Sequence, residues 1–256
     1  RDNEFYSSFS YSVLKGLEME EGVSRRDASQ VIKVGGIYYV YYTKVTMDKP
    51  PRGYQNADEN TPANTWDMAD IFYATSKDGV TWQEQGVAVP RGPKGKFDDR
   101  SVFTPGVLQW KEKFYLYYQA VKWPYNQRSK NVIGMSWSKS PSGPWNRHPE
   151  PILQTGKSGK WQGEKPIRSL IEEEGDFDSL KVHDPFLLVF NGKIHLYYKA
   201  HPMGLSGNTK LTYPDFSGGL ATADNPLGPF TKHPKNPVLN SGHEVVLWPY
   251  NLVLPL

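Results

Sequence analysis

The sequence contains no cysteine, which excludes disulfide scaffolds, thiolate metal sites and cysteine nucleophiles at once. No apolar run approaches the roughly 18 residues that a membrane-spanning helix needs, so no membrane partner is expected. An excess of one charge is missing too: 30 Lys and Arg stand against 27 Asp and Glu, a formal net charge of +3. Same-sign runs are short, as in Glu172-Glu173-Glu174, and read as solvated loop. A nucleic-acid surface is therefore not expected. Neither a Walker loop, a Gly-x-Ser-x-Gly elbow nor a dinucleotide fingerprint occurs. The chain opens on Arg1 with no initiator methionine and no signal peptide, so Arg1 is expected to be a processing boundary. The compartment stays open, with bacterial cytoplasm or periplasm as the expectation.

What is present is aromatic residues and turns. Phe, Trp and Tyr make up 14% of the 256 residues, beside 23 glycines and 21 prolines. Helical periodicity is hard to find, whereas alternating aromatic and β-branched runs recur. Three of them match: Ile37-Tyr38-Tyr39-Val40-Tyr41-Tyr42-Thr43, Phe114-Tyr115-Leu116-Tyr117-Tyr118-Gln119-Ala120 and Ile194-His195-Leu196-Tyr197-Tyr198-Lys199-Ala200. Each follows a turn (Gly35-Gly36, Lys111-Glu112-Lys113, Asn191-Gly192-Lys193) and, before it, another apolar strand. Each leads to a third strand ending in small polar residues, then to a turn and an aromatic (Trp82, Trp145, Phe230) that opens a fourth.

Four antiparallel strands repeated in one order are the pattern of β-propeller blades. A β-sandwich also has many short strands but does not explain the recurrence. Ten residues upstream of Ile37, Phe114 and Ile194 lie Asp27, Thr104 and Asp184, each at the head of the first strand of its blade. First strands are innermost in a propeller, so these three positions should converge on one mouth of the central channel. A fourth unit starts at His243-Glu244-Val245. Residues 1–256 then form one all-β propeller domain of about three and a half blades, expected to be incomplete at both ends.

Carboxylates facing each other across a channel mouth suit glycosidic bond cleavage, in which one group activates water and another protonates the leaving oxygen. The bland alternative for either aspartate is a turn or capping residue. Arg25 and Arg26 would favour the ionised form of Asp27, or be ordinary surface charges. His183 should alternate to the opposite strand face from Asp184, as a packing histidine. Trp66, Trp123 and Tyr125 sit on the long loops after the first two aromatic strands, where rings can stack on sugar C–H faces or seal a blade flank. Gln119 is polar among hydrophobes and suits a sugar hydroxyl or the neighbouring backbone. Metal chemistry is faintly signalled, since His-Glu-x-x-His and EF-hand patterns are both missing. No cofactor is required for the chemistry. A divalent cation (zinc, magnesium or calcium) held through water by Glu244 in the channel is the metal expectation that remains.

The stretch Lys15-Gly16-Leu17 through Gly22-Val23-Ser24-Arg25-Arg26-Asp27, then Lys181-Val182-His183-Asp184-Pro185, then Ser241-Gly242-His243-Glu244, resembles glycoside hydrolase family 117. The likeness covers nearly the whole chain. It implies a five-bladed propeller and an exo-acting, inverting 3,6-anhydro-α-L-galactosidase that acts on neoagaro-oligosaccharides. By that resemblance Asp27 matches the general base and Asp184 the carboxylate that tunes the acid and stabilises the transition state. His243 matches a histidine general acid, and Glu244 a glutamate to which the same role has been assigned. Trp66, Thr104 and Gln119 resemble the residues that contact the sugar. Family members also carry an N-terminal helical segment that swaps between subunits, which implies a homodimer for the full-length protein; that segment and the last blade and a half are missing from this sequence. Two other readings stay open: an arabinan- or xylan-processing propeller hydrolase using Asp27, Asp184 and Glu244, and a carbohydrate-binding propeller without catalysis.

Overall fold

Each aromatic run forms the second strand of a four-stranded antiparallel sheet, because alternation gives it one face for each neighbouring sheet. A computed structural model describes residues 11–204, 216–240 and 245–247. These contain strands and turns and no helix. Blade 1 comprises β1 (Val23–Arg26), β2 (Ile32–Val34), β3 (Ile37–Thr46), β4 (Asp70–Ser76) and β5 (Trp82–Val89), with β1 and β2 both paired to β3 as a broken inner strand. Blade 2 comprises β6 (Ser101–Trp110), β7 (Lys113–Val121), β8 (Asn131–Ser138) and β9 (Asn146–Arg147). A hairpin of β10 (Lys160–Trp161) and β11 (Ile171–Glu173) follows. Blade 3 comprises β12 (Lys181–Phe190), β13 (Lys193–His201), β14 (Ser217–Ala223) and β15 (Thr231–Lys232). Fourth strands in blades 2 and 3 resume after a break, at the bridges Ile133–Leu153 and Gly218–Leu239. Among the described residues the sheets do not close a ring.

The inner strands converge as expected. β6 lies against both β3 and β12. The Gln30 side chain donates to the Val107 carbonyl, joining the first two inner strands. A Cβ on Gly106 would lie 2.5 Å from the Pro185 carbonyl oxygen, so only glycine permits this approach of blade 2 to blade 3. Neighbouring blades are also stapled by a repeated device. The Tyr41 hydroxyl donates to the Pro141 carbonyl at 2.5 Å, and Trp145 packs edge-on at 5.6 Å. One blade on, Tyr117 donates to the Pro226 carbonyl at 2.5 Å, with Phe230 edge-on at 6.1 Å. In blades 2 and 3 the aromatic that opens the fourth strand is thus a lid over the previous blade's tyrosine. All four side chains lie in or against the inter-blade cores.

A second repeat ties the head of an inner strand to its own sheet. Asp98 accepts from Tyr118 and pairs with Arg147; Asp178 accepts from Tyr198 at 3.0 Å and pairs with Lys232 at 2.6 Å. Blade 1 lacks that aspartate. Its counterpart Tyr42 donates instead to Glu84 on β5, which also pairs with Arg25 and Lys44.

Candidate active site

At Asp27, Thr104 and Asp184 the backbone does something that alternation does not predict. All three adopt the left-handed conformation, with φ of 49°, 49° and 50°. The ladder slips at the same place: between Phe103 and Gly106 in β6, between His183 and Phe186 in β12, and across the gap from β1 to β2. An extra residue in one strand bends it and re-aims the side chain there. Aspartate tolerates φ > 0, but for β-branched threonine it is an outlier whose strain is held by its surroundings. The Thr43 hydroxyl accepts from the Thr104 amide at 2.8 Å and supplies part of that hold.

These bulges turn the three residues into one pocket of about 220 Å³, whose walls include Asp27, Trp66, Thr104, Gln119, His183 and Asp184. Five of the seven expected site residues are therefore together. The other two, His243 and Glu244, lie outside the described residues. Behind the bulges a second cavity of about 190 Å³ is bounded by Ala28, Pro105, Pro185 and Val245, and so lies between the three inner strands.

The two aspartates are held differently. Asp27 Oδ2 accepts from Arg26 Nε at 2.8 Å, and no partner occupies Oδ1 among the described residues. Arg25 does not join it. That guanidinium turns to Glu84 and Glu20, so of the two arginines only Arg26 serves Asp27. Asp184 is bound at both oxygens, with His183 Nδ1 3.1 Å from Oδ1 and Lys199 Nζ 3.1 Å from Oδ2. Burial opposes its charge, but the adjacent His183 and Lys199 outweigh burial and hold the carboxyl well below the usual range. Burial in turn pushes the His183 imidazole down, against the pull of Asp184, so it is neutral at pH 7. A neutral imidazole beside a carboxylate carries its proton on Nδ1.

His183 corrects a simple alternation argument. The bulge at Asp184 breaks the period of two, so both side chains reach the same pocket and bond each other. Its ring lies 4.8 Å from that of His201, tilted by 33°, and His201 Nδ1 lies 3.2 Å from an Arg168 nitrogen. Arg168 belongs to the hairpin loop that Arg128 secures by donating to the carbonyls of Gln162, Gly163, Ile167 and Leu170.

Trp66 lines the pocket with the Arg26 guanidinium 4.7 Å over its ring and its indole N–H donating to Tyr125 at 3.2 Å. Tyr54 bonds Tyr125 in turn at 3.3 Å. Trp123 is not brought here. It stacks under Arg100 and lines a separate pocket. The Gln119 side chain is buried in the wall and has no hydrogen-bond partner among the described residues. Sequence reasoning missed Lys199, although the signal that singles out Gln119, a polar residue in an aromatic run, marks Lys199 in the matching column. Among the described residues no three His, Asp or Glu side chains gather to hold a metal ion, and Glu244, through which a cation is expected, lies outside them.

No protein-family model matches the sequence, and no curated protein does. Among solved structures the chain is similar to Zg3597, a family 117 glycoside hydrolase produced by the marine bacterium Zobellia galactanivorans. Identity is 42% and the TM-score 0.77, over 95% of this chain and 66% of that one. A second structure, described as a glycoside hydrolase, has a TM-score of 0.61 at 14% identity, over 90% of this chain and 62% of that one. This second likeness is one of fold alone. Bladed sheets around a pocket that holds two aspartates thus place the molecule with the propeller-like glycoside hydrolases. Within that class, the chain belongs to glycoside hydrolase family 117. It spans 66% of the length of the family 117 structure.

Proposed function

We propose that this chain carries the catalytic pocket of an exo-acting, inverting glycoside hydrolase. It cleaves the α-1,3 bond of terminal 3,6-anhydro-L-galactose in neoagaro-oligosaccharides. The observation that supports this best is the pairing of Asp27 and Asp184 on matched bulges in the wall of one pocket, in a family 117 chain.

Asp27 is the base. With Oδ2 engaged by Arg26, Oδ1 takes a proton from water as the water oxygen attacks the anomeric carbon. The glycosidic C–O bond breaks on the opposite face, and the departing oxygen receives a proton from the general acid, His243 or Glu244. Asp184, kept anionic by its two donors, stabilises the positive charge that develops at the sugar ring. Trp66, Thr104 and Gln119 grip the sugar, the last through a buried amide that lacks a protein partner among the described residues. The same reading completes the ring to five blades and pairs the full-length protein as a homodimer.

A time course on neoagarobiose with product identification tests the activity. Release of D-galactose and 3,6-anhydro-L-galactose with inverted anomeric configuration is expected. Turnover of an aryl α-L-arabinofuranoside instead would move the chain to the pentose-processing reading, and binding of neoagarobiose without turnover of either substrate would make it a carbohydrate-binding propeller.

A further inference from the structure

Lys199 has no role in the chemistry above beyond its contact with Asp184, and its placement is costly. Only 6% of it is exposed, and its neighbours along the strand, Tyr198 and Ala200, are fully buried. Taking an ammonium out of water is unfavourable by several kcal/mol unless good geometry offsets it. Its position is specific: it pairs with the residue just ahead of the bulge, a place held by Thr43 in blade 1 and Gln119 in blade 2. Thr43 serves the neighbouring blade by accepting from Thr104. Lys199 instead carries charge, and directs it at the carboxylate of its own blade's bulge.

The two oxygens of Asp184 are bound from different strands, Oδ1 by His183 of β12 and Oδ2 by Lys199 of β13. Rotation of the carboxylate about its Cβ–Cγ bond breaks both contacts. A lysine suits this better than an arginine, because a compact ammonium meets one oxygen where a guanidinium fork tends to cover both. Among the described residues, the charged and titratable groups that share this pocket with Asp184 are Lys181 and His183 on β12, Lys199 and His201 on β13, Arg26 with Asp27 from blade 1, and the loop tyrosines Tyr54 and Tyr125.

We infer that Lys199 is a positioning residue of this site, acting through Asp184: by holding Oδ2 from β13 while His183 holds Oδ1 from β12, it fixes the plane of that carboxylate. The kinetic part of the inference rests on the hydrolase reading; the part about the carboxylate does not.

The test uses Lys199→Met and Lys199→Arg, each alone and combined with Asp184→Asn. Rates on neoagarobiose are measured across pH, and aspartate carboxyls are followed by carbon NMR, with Asp184 assigned by its loss in Asp184→Asn. Lys199→Met is expected to lower kcat about 100-fold at neutral pH, the scale of a misplaced catalytic group, with KM changed less than about threefold. It should raise the titration of Asp184 by at least about one pH unit. Lys199→Arg should restore most of that titration and part of the rate. In the Asp184→Asn background, Lys199→Met should cost less than about twofold more, because its route of action is already gone. An unchanged Asp184 titration in Lys199→Met, or an equal rate loss in the Asp184→Asn background, overturns the inference. If the unmodified protein cleaves nothing, the hydrolase reading fails and the carboxyl titration alone decides for or against Lys199. If Lys199→Met does not fold, Lys199→Arg decides: a low Asp184 titration supports the inference, and an ordinary one overturns it.

Discussion

Blades 1 and 3 present an aspartate at the same point of the same bulge, with φ of 49° and 50°, yet the two side chains meet different surroundings. Asp27 keeps 18% of its side chain exposed and has one charged partner; Asp184 keeps 8% and has two. The first has an oxygen to offer to water, and the second has none to spare. Between them Thr104 occupies the same backbone with a neutral hydroxyl. The repeat therefore supplies three equivalent platforms, and the neighbouring strand decides what each platform can do. Thr43, Gln119 and Lys199 are those neighbours, each paired with the residue just ahead of its platform.

That contrast can be broken by exchange at each site. The largest effect is expected from Asp27→Asn, which should lower kcat by about 1,000- to 10,000-fold while KM stays within a few-fold, as for loss of a general base. Near-normal turnover in that variant would remove Asp27 from the chemistry. Stability should order the two aspartates the other way round. Asp184→Asn leaves the Lys199 ammonium buried without its counter-ion and should destabilise by about 3–5 kcal/mol. Asp27→Asn loses only a partly exposed ion pair and should stay within about 1 kcal/mol. Equal denaturant midpoints for the two variants would contradict the difference drawn between them.

Acid sharpens the comparison further. Asp184 and His183 both have folded-state pKa values below their unfolded ones, so the unfolded chain binds protons more readily. Stability from both groups is complete above about pH 6.5. As pH falls from there the His183 part is lost first, and the Asp184 part goes below about pH 4. Urea midpoints measured from pH 8 to pH 3 should fall through both windows, and His183→Asn should remove the upper one and shrink the lower, because the imidazole is one of the two groups that hold Asp184 ionised. The smallest effect is expected at Thr104. Replacing this β-branched residue by glycine relieves left-handed strain of about 1 kcal/mol, so Thr104→Gly should unfold no more easily than the parent while its KM rises. A loss of several kcal/mol would show that the threonine side chain, rather than the backbone, secures the bulge.

Much of this architecture is legible in the sequence because it rests on period-two alternation and tight turns. Gly35-Gly36 and Asn191-Gly192 both have positive φ throughout, as hairpins of matching twist require. Counting back from the aromatic runs brings Asp27, Thr104 and Asp184 into register with no knowledge of the bulge. That count assumes equal spacing only, and the left-handed residue recurs at the counted position in all three inner strands. The rest is hidden for identifiable reasons. A bulge is invisible to a pattern of two, which is why alternation puts His183 on the wrong face. Nothing local distinguishes Arg25 from Arg26, since the choice between Glu84 and Asp27 depends on a strand far along the chain. Trp66 and Trp123 sit on similar loops, and only packing against Tyr125 or Arg100 separates them.

By itself, then, the sequence determined that three like units of four strands would form and that an acid would stand at the head of the first and the third. Alternation and turn chemistry are local properties, carried by residues a few positions apart. Tertiary structure decided that those acids share a pocket, that one oxygen of Asp27 stays open, and that Asp184 is clamped by His183 and Lys199. Such outcomes depend on desolvation and on contacts between distant strands, and neither exists until the blades have packed.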